Sequence, residues 1–275
     1  MNNYAFSREH VLPKPARRDH RDSLVQYAGK AMRTIILLTA TVLWLSISSV
    51  CTAQEQDISA RLAAARSRLA AIQHRITHVH DIDDIEKLQK IYGYYTDKML
   101  WDQVVDLFAD NATLEIGVSG VYVGKDSIRK YLYSLSDGKQ GPIEGRLYEH
   151  MQFQPIISLS NDGMSAKGRW HSLLQLGVYG SGSGGQWGEG VYENEYVKQG
   201  SVWKISKLHW YAEFIAPYEG GWLKVKDDAV RNYSLGSGAT PDRPPSEDYK
   251  TYPDVYVVPF HYPNPVTGEP WKGKQ

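Results

Sequence analysis

Apolar side chains recur at helical spacing through the middle of the chain. The spacing predicts a helix over residues 83–98, a second over 102–109 and a third over 127–135, with Asp126 as the N-cap of the third. The apolar arc of the first consists of Ile85, Leu88, Ile91, Tyr92, Tyr95 and Met99. Three short amphipathic helices of this kind must pack against another layer.

That layer is predicted to be a β-sheet, because from Leu147 onward apolar and polar residues alternate with a period of two. Strands are predicted at about 113–118, 120–124, 148–159, 164–177, 187–198 and 202–214. Short links between the later strands favour antiparallel hairpins. The predicted fold class is α+β, with helices in a cone-shaped arrangement packed on a curved, mostly antiparallel sheet.

A heptad pattern precedes this domain, in a predicted helix over residues 54–80. Its apolar seam, called the heptad seam below, recurs at steps of four and three: Ile58, Leu62, Ala65, Leu69, Ile72, Ile76 and Val79. The seam must be covered, either by the same helix of a second chain or by the chain's own domain. We expect a homo-oligomer, a dimer or trimer, and packing within the chain stays open.

The N-terminal region carries a targeting pattern. Residues 35–50 are almost all apolar, they follow the basic start Met32-Arg33, and the run ends in Cys51-Thr52-Ala53 with small residues at the −3 and −1 places. This predicts a secretory signal cleaved after Ala53, a secreted or periplasmic protein, and Met32 as a candidate start. The apolar run is short for a bilayer span, which needs about 20 residues. No stable membrane span is therefore expected after cleavage, and an uncleaved signal anchor is the alternative.

The C-terminal region changes character after Pro217. Residues 217–275 contain nine prolines with interleaved Tyr and Trp, which predicts an extended tail lying across the domain or a neighbouring subunit. A loose linker is the alternative. The predicted organisation is an extension with signal peptide over 1–53, a heptad helix over 54–80, a folded domain over 81–216 and the tail over 217–275.

Composition excludes several kinds of function. The formal net charge is zero, so a nucleic-acid partner has no electrostatic support. Cys51 is the single cysteine, and signal cleavage would leave no thiol for disulfides, metal sites or nucleophilic catalysis. The histidines are too dispersed for a metal-ligand spacing, so no metal is predicted. The many Tyr and Trp side chains suit a pocket for an aromatic small molecule.

Two residues are candidates for proton transfer. Asp97 lies near the end of the first helix, and His150 lies at the start of a strand. A carboxylate behind an imidazole fixes its tautomer and stabilises the imidazolium, and an imidazole titrates near neutral pH. The alternatives are a solvated acid at a helix end and a histidine held by structural hydrogen bonds.

Residues 80–215 resemble the SnoaL-like branch of the nuclear-transport-factor-2-like superfamily. The resemblance rests on the spacing of Asp97, Trp101 and Asp102, on His150 ahead of a strand, and on residues 192–208. Within that branch, these residues resemble hexachlorocyclohexane dehydrochlorinases and scytalone dehydratases. They also share a narrower likeness with lignin-diarylpropane γ-formaldehyde lyases. The resemblance implies a catalytic dyad without a cofactor, in which His150 is the general acid/base and Asp97 orients it.

The resemblance also implies substrate-binding positions for His171, Leu173, Tyr192, Asn194 and Leu208. Strand alternation adds Arg169 on the face of His171 and Trp210 on the face of Leu208. Tyr92 and Tyr95 are further candidates, with Tyr94 beside them, and the alternative for these three phenols is a place in the core. Leu208 stands where the dehydrochlorinase has an arginine, which disfavours halide elimination. Arg169 has an alternative role as the partner of an acid on the next strand. The function expected is a lyase that eliminates water or formaldehyde from an aromatic small molecule, with lignin-derived compounds as one candidate class. The alternative is a non-catalytic ligand-binding or oligomerisation module.

Overall fold

The computed structural model describes residues 20–182, 184–225 and 238–273. The polar segment ahead of residue 20 and parts of the predicted C-terminal tail lie outside these residues. The chain divides into two compact units, Met1–Ala71 and Ile72–Gln275.

The first helix, α1, runs from His20 to Asp97 without interruption. The sequence predicted separate helices over 54–80 and 83–98, but no proline interrupts residues 20–97, so nothing in the sequence forces a break. Near its N-terminus α1 is long and apolar enough to cross a membrane, and a signal sequence meets the same criterion. The apolar N-terminal helix is therefore compatible with the predicted signal.

The heptad seam is exposed to solvent in the described chain. Its Ile, Leu and Val side chains are between 49% and 66% accessible. Six large aliphatic side chains on one helix face are a costly surface to leave in water. Their exposure leaves room for the predicted pairing with a second chain, and the oligomer remains a prediction.

Among the described residues of the second unit, two short helices and six strands follow α1. They are α2 (Trp101–Asp106), β1 (Phe108–Ile116), β2 (Val121–Val123), α3 (Gly124–Ser134), β3 (Arg146–Leu159), β4 (Ser165–Val178), β5 (Gln186–Gln199) and β6 (Val202–Pro217). A single 3₁₀ turn, Gly221–Lys224, comes next.

Two helix boundaries differ from the sequence prediction. The helix predicted over 102–109 ends at Asp106, because Phe108 already pairs with Ile205 of β6. The third helix begins at Gly124 with Val123 as its N-cap, so Asp126 is not the capping residue. Asp126 lies in the first turn instead, where its negative charge interacts favourably with the helix dipole.

The strands form one sheet in the order β2-β1-β6-β5-β4-β3. Only β1 and β6 run parallel; the other neighbours are antiparallel. Register shifts at Glu189/Gly190 and Glu195/Tyr196 bend β5 against β6, as β-bulges do. The predicted α+β class, with helices on a curved and mostly antiparallel sheet, is confirmed.

Both faces of the sheet are covered. On the inner face, residues of the last turns of α1 pack with α2, α3 and the even-numbered side chains of β4, such as Trp170 and Leu174. On the outer face, Tyr249 and Val258 of the C-terminal segment pack against Val191 and Tyr211. The described part of the tail therefore lies along the sheet, and a main-chain bridge from Val121 to Arg243 fixes one end.

A histidine is buried under this tail. His209 has no exposed surface, its ring stacks on Tyr211 at 3.9 Å, and neither ring nitrogen has a hydrogen-bond partner. Its Nε2 is 3.7 Å from Oε2 of Glu115. Burial, with a smaller contribution from Lys207, lowers the pKa of His209 to about 4.

The lowered pKa predicts acid sensitivity. Above the unfolded pKa of about 6.5 the ring is neutral in both states, and stability is complete. As pH falls from about 6.5 towards 4 the unfolded chain binds the proton first, which costs about 3 kcal/mol of stability. Urea unfolding would be measured at pH 7 and at pH 4. Between these values the unfolding free energy of His209→Phe should fall by about 3 kcal/mol less than that of wild type. Equal losses in the two proteins would show that His209 is not the titrating group.

Candidate functional site

Asp97 is the last residue of α1. The helix ends there because Met99 adopts a left-handed conformation with φ of 53°, while the N–H of Leu100 donates to the carbonyl of Tyr95 at 2.9 Å. The carboxylate of Asp97 consequently projects from the final turn towards β3, with 9% of its side chain accessible.

His150 lies on β3, the edge strand of the sheet, opposite Leu174 of β4. Its main-chain N–H donates to Oδ1 of Asp97 at 2.6 Å. An edge strand leaves some main-chain groups without a strand partner, and the Asp97 carboxylate satisfies one of them. Asp97 therefore has a structural role, in joining the end of α1 to the sheet.

The imidazole of His150 lies beside the same carboxylate. Its Nδ1 is 3.7 Å from Oδ1 of Asp97, which is too long for a hydrogen bond. The ring is 6% exposed, Nδ1 has no hydrogen-bond partner, and the ring centre is 4.4 Å from that of Tyr148. The structure brings the predicted acid and imidazole together, with the carboxylate bonded to the main chain rather than to the ring.

Asp97 and His150 line one cavity, called the edge cavity below, of about 340 Å³. It lies between the last turns of α1 and β3, and it is open to solvent. Its walls are Lys90, Gly93, Tyr94, Asp97, Glu149, His150, Met151, Gln152 and Phe153. The volume is at the lower end of the range for small-molecule sites.

Gly93 allows the helix to approach the strand this closely. A Cβ atom at Gly93 would lie 3.1 Å from the carbonyl oxygen of His150 and 3.2 Å from Nε2 of Gln152. Both contacts are tighter than side chains normally make, so alanine would push α1 away from β3. Glycine at this helix position costs roughly 1 kcal/mol of helix propensity, which indicates that close packing is what it provides.

Most of the other predicted binding residues are not in the edge cavity. Tyr192, Asn194, Leu208 and Trp210 face the helices from the sheet, as predicted, and Tyr92 of α1 packs in the same core. Each of the five is almost fully buried, and none lines the edge cavity. Tyr95 packs against the same core from a partly buried position. The inner face is filled by these rings and covered by α1, so the structure does not bring these residues to Asp97 and His150.

Burial also affects the ionisation of the inner tyrosines. It raises the pKa of Tyr92 to about 12, and it raises the pKa of Tyr148 and Tyr192 further. All three phenols are neutral at physiological pH. They therefore cannot act as phenolate bases there.

Arg169, His171 and Leu173 lie on the opposite face of the sheet, where the tail covers it. These three residues do share one face of β4, as strand alternation predicts. That face is the outer one, because the even-numbered residues Trp170 and Leu174 are buried in the core. Arg169 bonds to Glu193 at 2.6 Å, as the alternative prediction had it. His171 Nδ1 is 2.8 Å from Glu189, and the ring is half exposed.

Sequence reasoning missed several residues of the edge cavity. Gln152 is two residues after His150 on the same strand face, and period-two alternation alone would have placed it beside the imidazole. Phe153 carried no comparable signal, because it is an exposed side chain on a strand predicted to bury other residues. Tyr94 was named only as one of three neighbouring tyrosines and was not chosen as a binding residue. Among the described residues, no group of three or more His, Cys, Asp or Glu side chains could hold a metal ion.

Comparison with known protein families gives one match. Residues 77–209, a little under half of the chain, match the model of the SnoaL-like domain. Over this stretch the chain is similar to SnoaL-like domains. The matched residues include α1 from Thr77 onward, the edge cavity and the strands up to His209. No curated protein sequence matched the chain significantly.

Solved structures resemble the chain at low similarity. A putative scytalone dehydratase from Novosphingobium aromaticivorans is 18% identical, with 52% of this chain and 90% of that chain covered and a TM-score of 0.44. A hexachlorocyclohexane dehydrochlorinase from Novosphingobium barchaimii is 19% identical, with 53% and 93% covered and a TM-score of 0.43. A Mycobacterium tuberculosis protein of unknown function is 18% identical, with 50% and 73% covered and a TM-score of 0.42. These values are too low to transfer an activity.

Proposed function

We propose that the SnoaL-like domain is a cofactor-independent lyase that eliminates water or formaldehyde from an aromatic small molecule in the edge cavity. One observation carries the proposal: an imidazole nitrogen without a hydrogen-bond partner lies 3.7 Å from a carboxylate in the wall of a ligand-sized cavity. A buried and unpaired polar atom is costly for a fold. Function is a reason to retain it.

The pair would work by fixing the tautomer of His150. A proton on Nδ1 would face Oδ1 of Asp97, and a small rotation of the ring would bring the two atoms within hydrogen-bonding distance. Nε2 would then carry the free lone pair and act as the base. The main-chain hydrogen bond at 2.6 Å holds the carboxylate in place before any ligand binds.

The proposed elimination needs no electron acceptor. For loss of water, His150 takes a proton from carbon, the C–H electron pair forms the new C=C bond, and hydroxide leaves with a proton from the imidazolium. For loss of formaldehyde, His150 takes the hydroxyl proton of a hydroxymethyl group, and its oxygen forms the C=O bond of formaldehyde. The carbon–carbon bond then breaks, its electron pair forms the C=C bond, and a hydroxyl group on the neighbouring carbon leaves as water. In each case one group acts as base and then as acid.

The exposed part of the edge cavity suits an aromatic ligand. Tyr94 lines the cavity with a largely exposed ring. Met151 and Phe153 also line it, although they alternate along β3 with His150 and Gln152. Lys90 also lines the cavity, where its ammonium group is 2.7 Å from Glu86. Ring surface and a nearby cation favour a phenolic or aryl-acid ligand over an aliphatic one.

A binding module without catalysis is the second candidate. It is favoured by the position of the Asp97 carboxylate, which bonds to the main chain and so has a structural role. The exposed heptad seam would then serve assembly, and the edge cavity would bind a ligand without changing it. The two candidates differ in one respect, which is whether a bound aromatic compound is converted.

A screen of the purified full chain distinguishes them. Hydroxylated aromatic monomers and diarylpropane-type dimers would be incubated with wild type and with His150→Ala, and formaldehyde and new conjugated absorbance would be measured. The proposal expects one of these products from wild type alone. Saturable ligand binding without product across the screen would favour the binding module, and product formation by both proteins would contradict the role of His150.

A further inference from the structure

Gln152 is a second polar residue of the edge cavity with an unused hydrogen-bonding group. Its Nε2 atom is buried and has no partner, and it lies close to Gly93 in the wall of the cavity. His150, two residues earlier on the same face of β3, carries the other unpaired nitrogen of this wall. In the proposed function His150 Nδ1 turns to Asp97, so the amino group of Gln152 is the group in this wall that is left without a partner inside the chain. A buried donor of this kind indicates a partner from outside the chain.

The orientation of the Gln152 amide follows from a chain of hydrogen bonds through the core. The main-chain N–H of His209 donates to Oδ1 of Asn194 at 3.1 Å, so the amino group of Asn194 is free to donate. That group donates to Oε1 of Gln89 at 3.0 Å. Gln89 has no exposed surface and must therefore present its own amino group to the next residue.

Gln89 completes the chain at Gln152. Nε2 of Gln89 donates to Oε1 of Gln152 at 2.5 Å, and Tyr196 adds a second donor to Oε1 of Gln89 at 2.7 Å. A reversed amide at Gln152 would place two amino groups against each other. The fixed main-chain N–H of His209 thus determines that Gln152 turns its donor, and not its acceptor, away from Gln89.

We propose that Gln152 is a specificity-determining residue that anchors an oxygen atom of the ligand beside His150. The ligand class is an aromatic compound with a hydrogen-bond acceptor on or next to the ring, such as a carbonyl, a phenolate or an ether oxygen. This inference rests on the proposed function, because it places that oxygen next to the carbon from which His150 takes a proton. A donor at this position would also stabilise negative charge that develops on the oxygen.

Two variants separate anchoring from structure. Gln152→Glu keeps an oxygen that accepts from Gln89 and replaces the free donor by an acceptor, so the core chain survives while the anchor is lost. Gln175→Glu is the matched control, because Gln175 is a half-buried glutamine of β4 that faces the opposite side of the sheet. Thermal melts of both variants would show whether the fold is preserved.

The test uses two fluorinated probes that differ in one oxygen, 4-fluoroacetophenone and 1-ethyl-4-fluorobenzene, titrated against the full chain by ¹⁹F NMR at pH 8. Wild type and Gln175→Glu are expected to bind the ketone about five- to tenfold more tightly than the hydrocarbon, as one hydrogen bond supplies. Gln152→Glu is expected to lose this preference and to bind the hydrocarbon within about twofold of wild type. An unchanged preference in Gln152→Glu overturns the inference.

A measurement on wild type keeps the inference testable if the variant does not fold. The side-chain amide resonances of Gln152 should shift on addition of the ketone and not of the hydrocarbon. No shift at saturating ketone overturns the anchor and leaves the lyase proposal standing. Failure of both probes to bind wild type contradicts the aromatic cavity itself, and with it both proposals.

Discussion

His150→Ala is expected to lower turnover of the substrate found in the screen by about 10²- to 10⁴-fold, the usual contribution of a general acid/base. The variant removes the proton-transferring ring and leaves the main-chain hydrogen bond to Asp97, since that bond uses the backbone N–H. Substrate affinity should therefore change much less than the turnover number. Steady-state kinetics at several substrate concentrations would separate the two.

His171→Ala is the matched control for this experiment. His171 was also predicted as a site residue, and it lies half exposed on the outer face with Glu189 as its partner. We expect its turnover to stay within about twofold of wild type, because surface substitutions of this kind rarely change a fold. Equal losses in the two variants would show that the effect of His150→Ala is not local to the edge cavity.

Trp101→Ala is expected to cost about 3–5 kcal/mol of unfolding free energy, the range for truncating a fully buried aromatic side chain. Trp101 is completely buried at the start of α2, its Nε1 donates to Ser136 at 2.8 Å, and its ring meets Tyr148 edge to face. The substitution would leave a cavity behind the tyrosine that packs against His150. Chemical denaturation of the purified chain measures the loss.

Trp222→Ala provides the comparison for that loss. Trp222 lies in the 3₁₀ turn after β6, is 54% exposed and contacts Phe214 at a ring distance of 5.9 Å. We expect a cost below about 1 kcal/mol. If both tryptophan variants lost the same free energy, the corner formed by α2 and β3 would not be the packing centre that the structure indicates.

The fold class could be predicted from the sequence because the alternation of apolar residues and the positions of the turns indicate the same strands. Alternation in β4 and β5, with short turns around Gly163 and Gly200, leaves few ways to pair the strands. The boundaries of α1 could not be predicted in the same way. The proposed break near residue 80 rested on a change of apolar pattern, and a helix can change its buried face without ending.

The site was predicted less completely, because the sequence does not show which face of the sheet the helices cover. Alternation separates Arg169 and His171 from Trp170, but it does not say which set faces the helices. The tail buries part of the outer face, so Arg169 is enclosed although it is outside the core. Sequence periodicity therefore could not distinguish an ion pair under the tail from a ligand-binding cation.

The pairing of Asp97 with His150 was predicted from the resemblance, and its geometry could not be. The distance between them depends on where α1 ends and on the absence of a side chain at Gly93, which sets how closely the helix approaches β3. The chain of amides from Asn194 to Gln152 was likewise invisible in the sequence. It joins residues of three elements, and none of their spacings along the chain indicates it.

Nitrogen-15 NMR of the His150 ring tests the central claim, that Asp97 fixes this imidazole for proton transfer, without needing a substrate. The account predicts a proton on Nδ1 and a bare Nε2 in the neutral tautomer of wild type, and loss of that preference in Asp97→Asn. A wild-type ring protonated on Nε2, with Nδ1 as the bare nitrogen, would contradict the account. The carboxylate would then serve only to join the helix to the edge of the sheet.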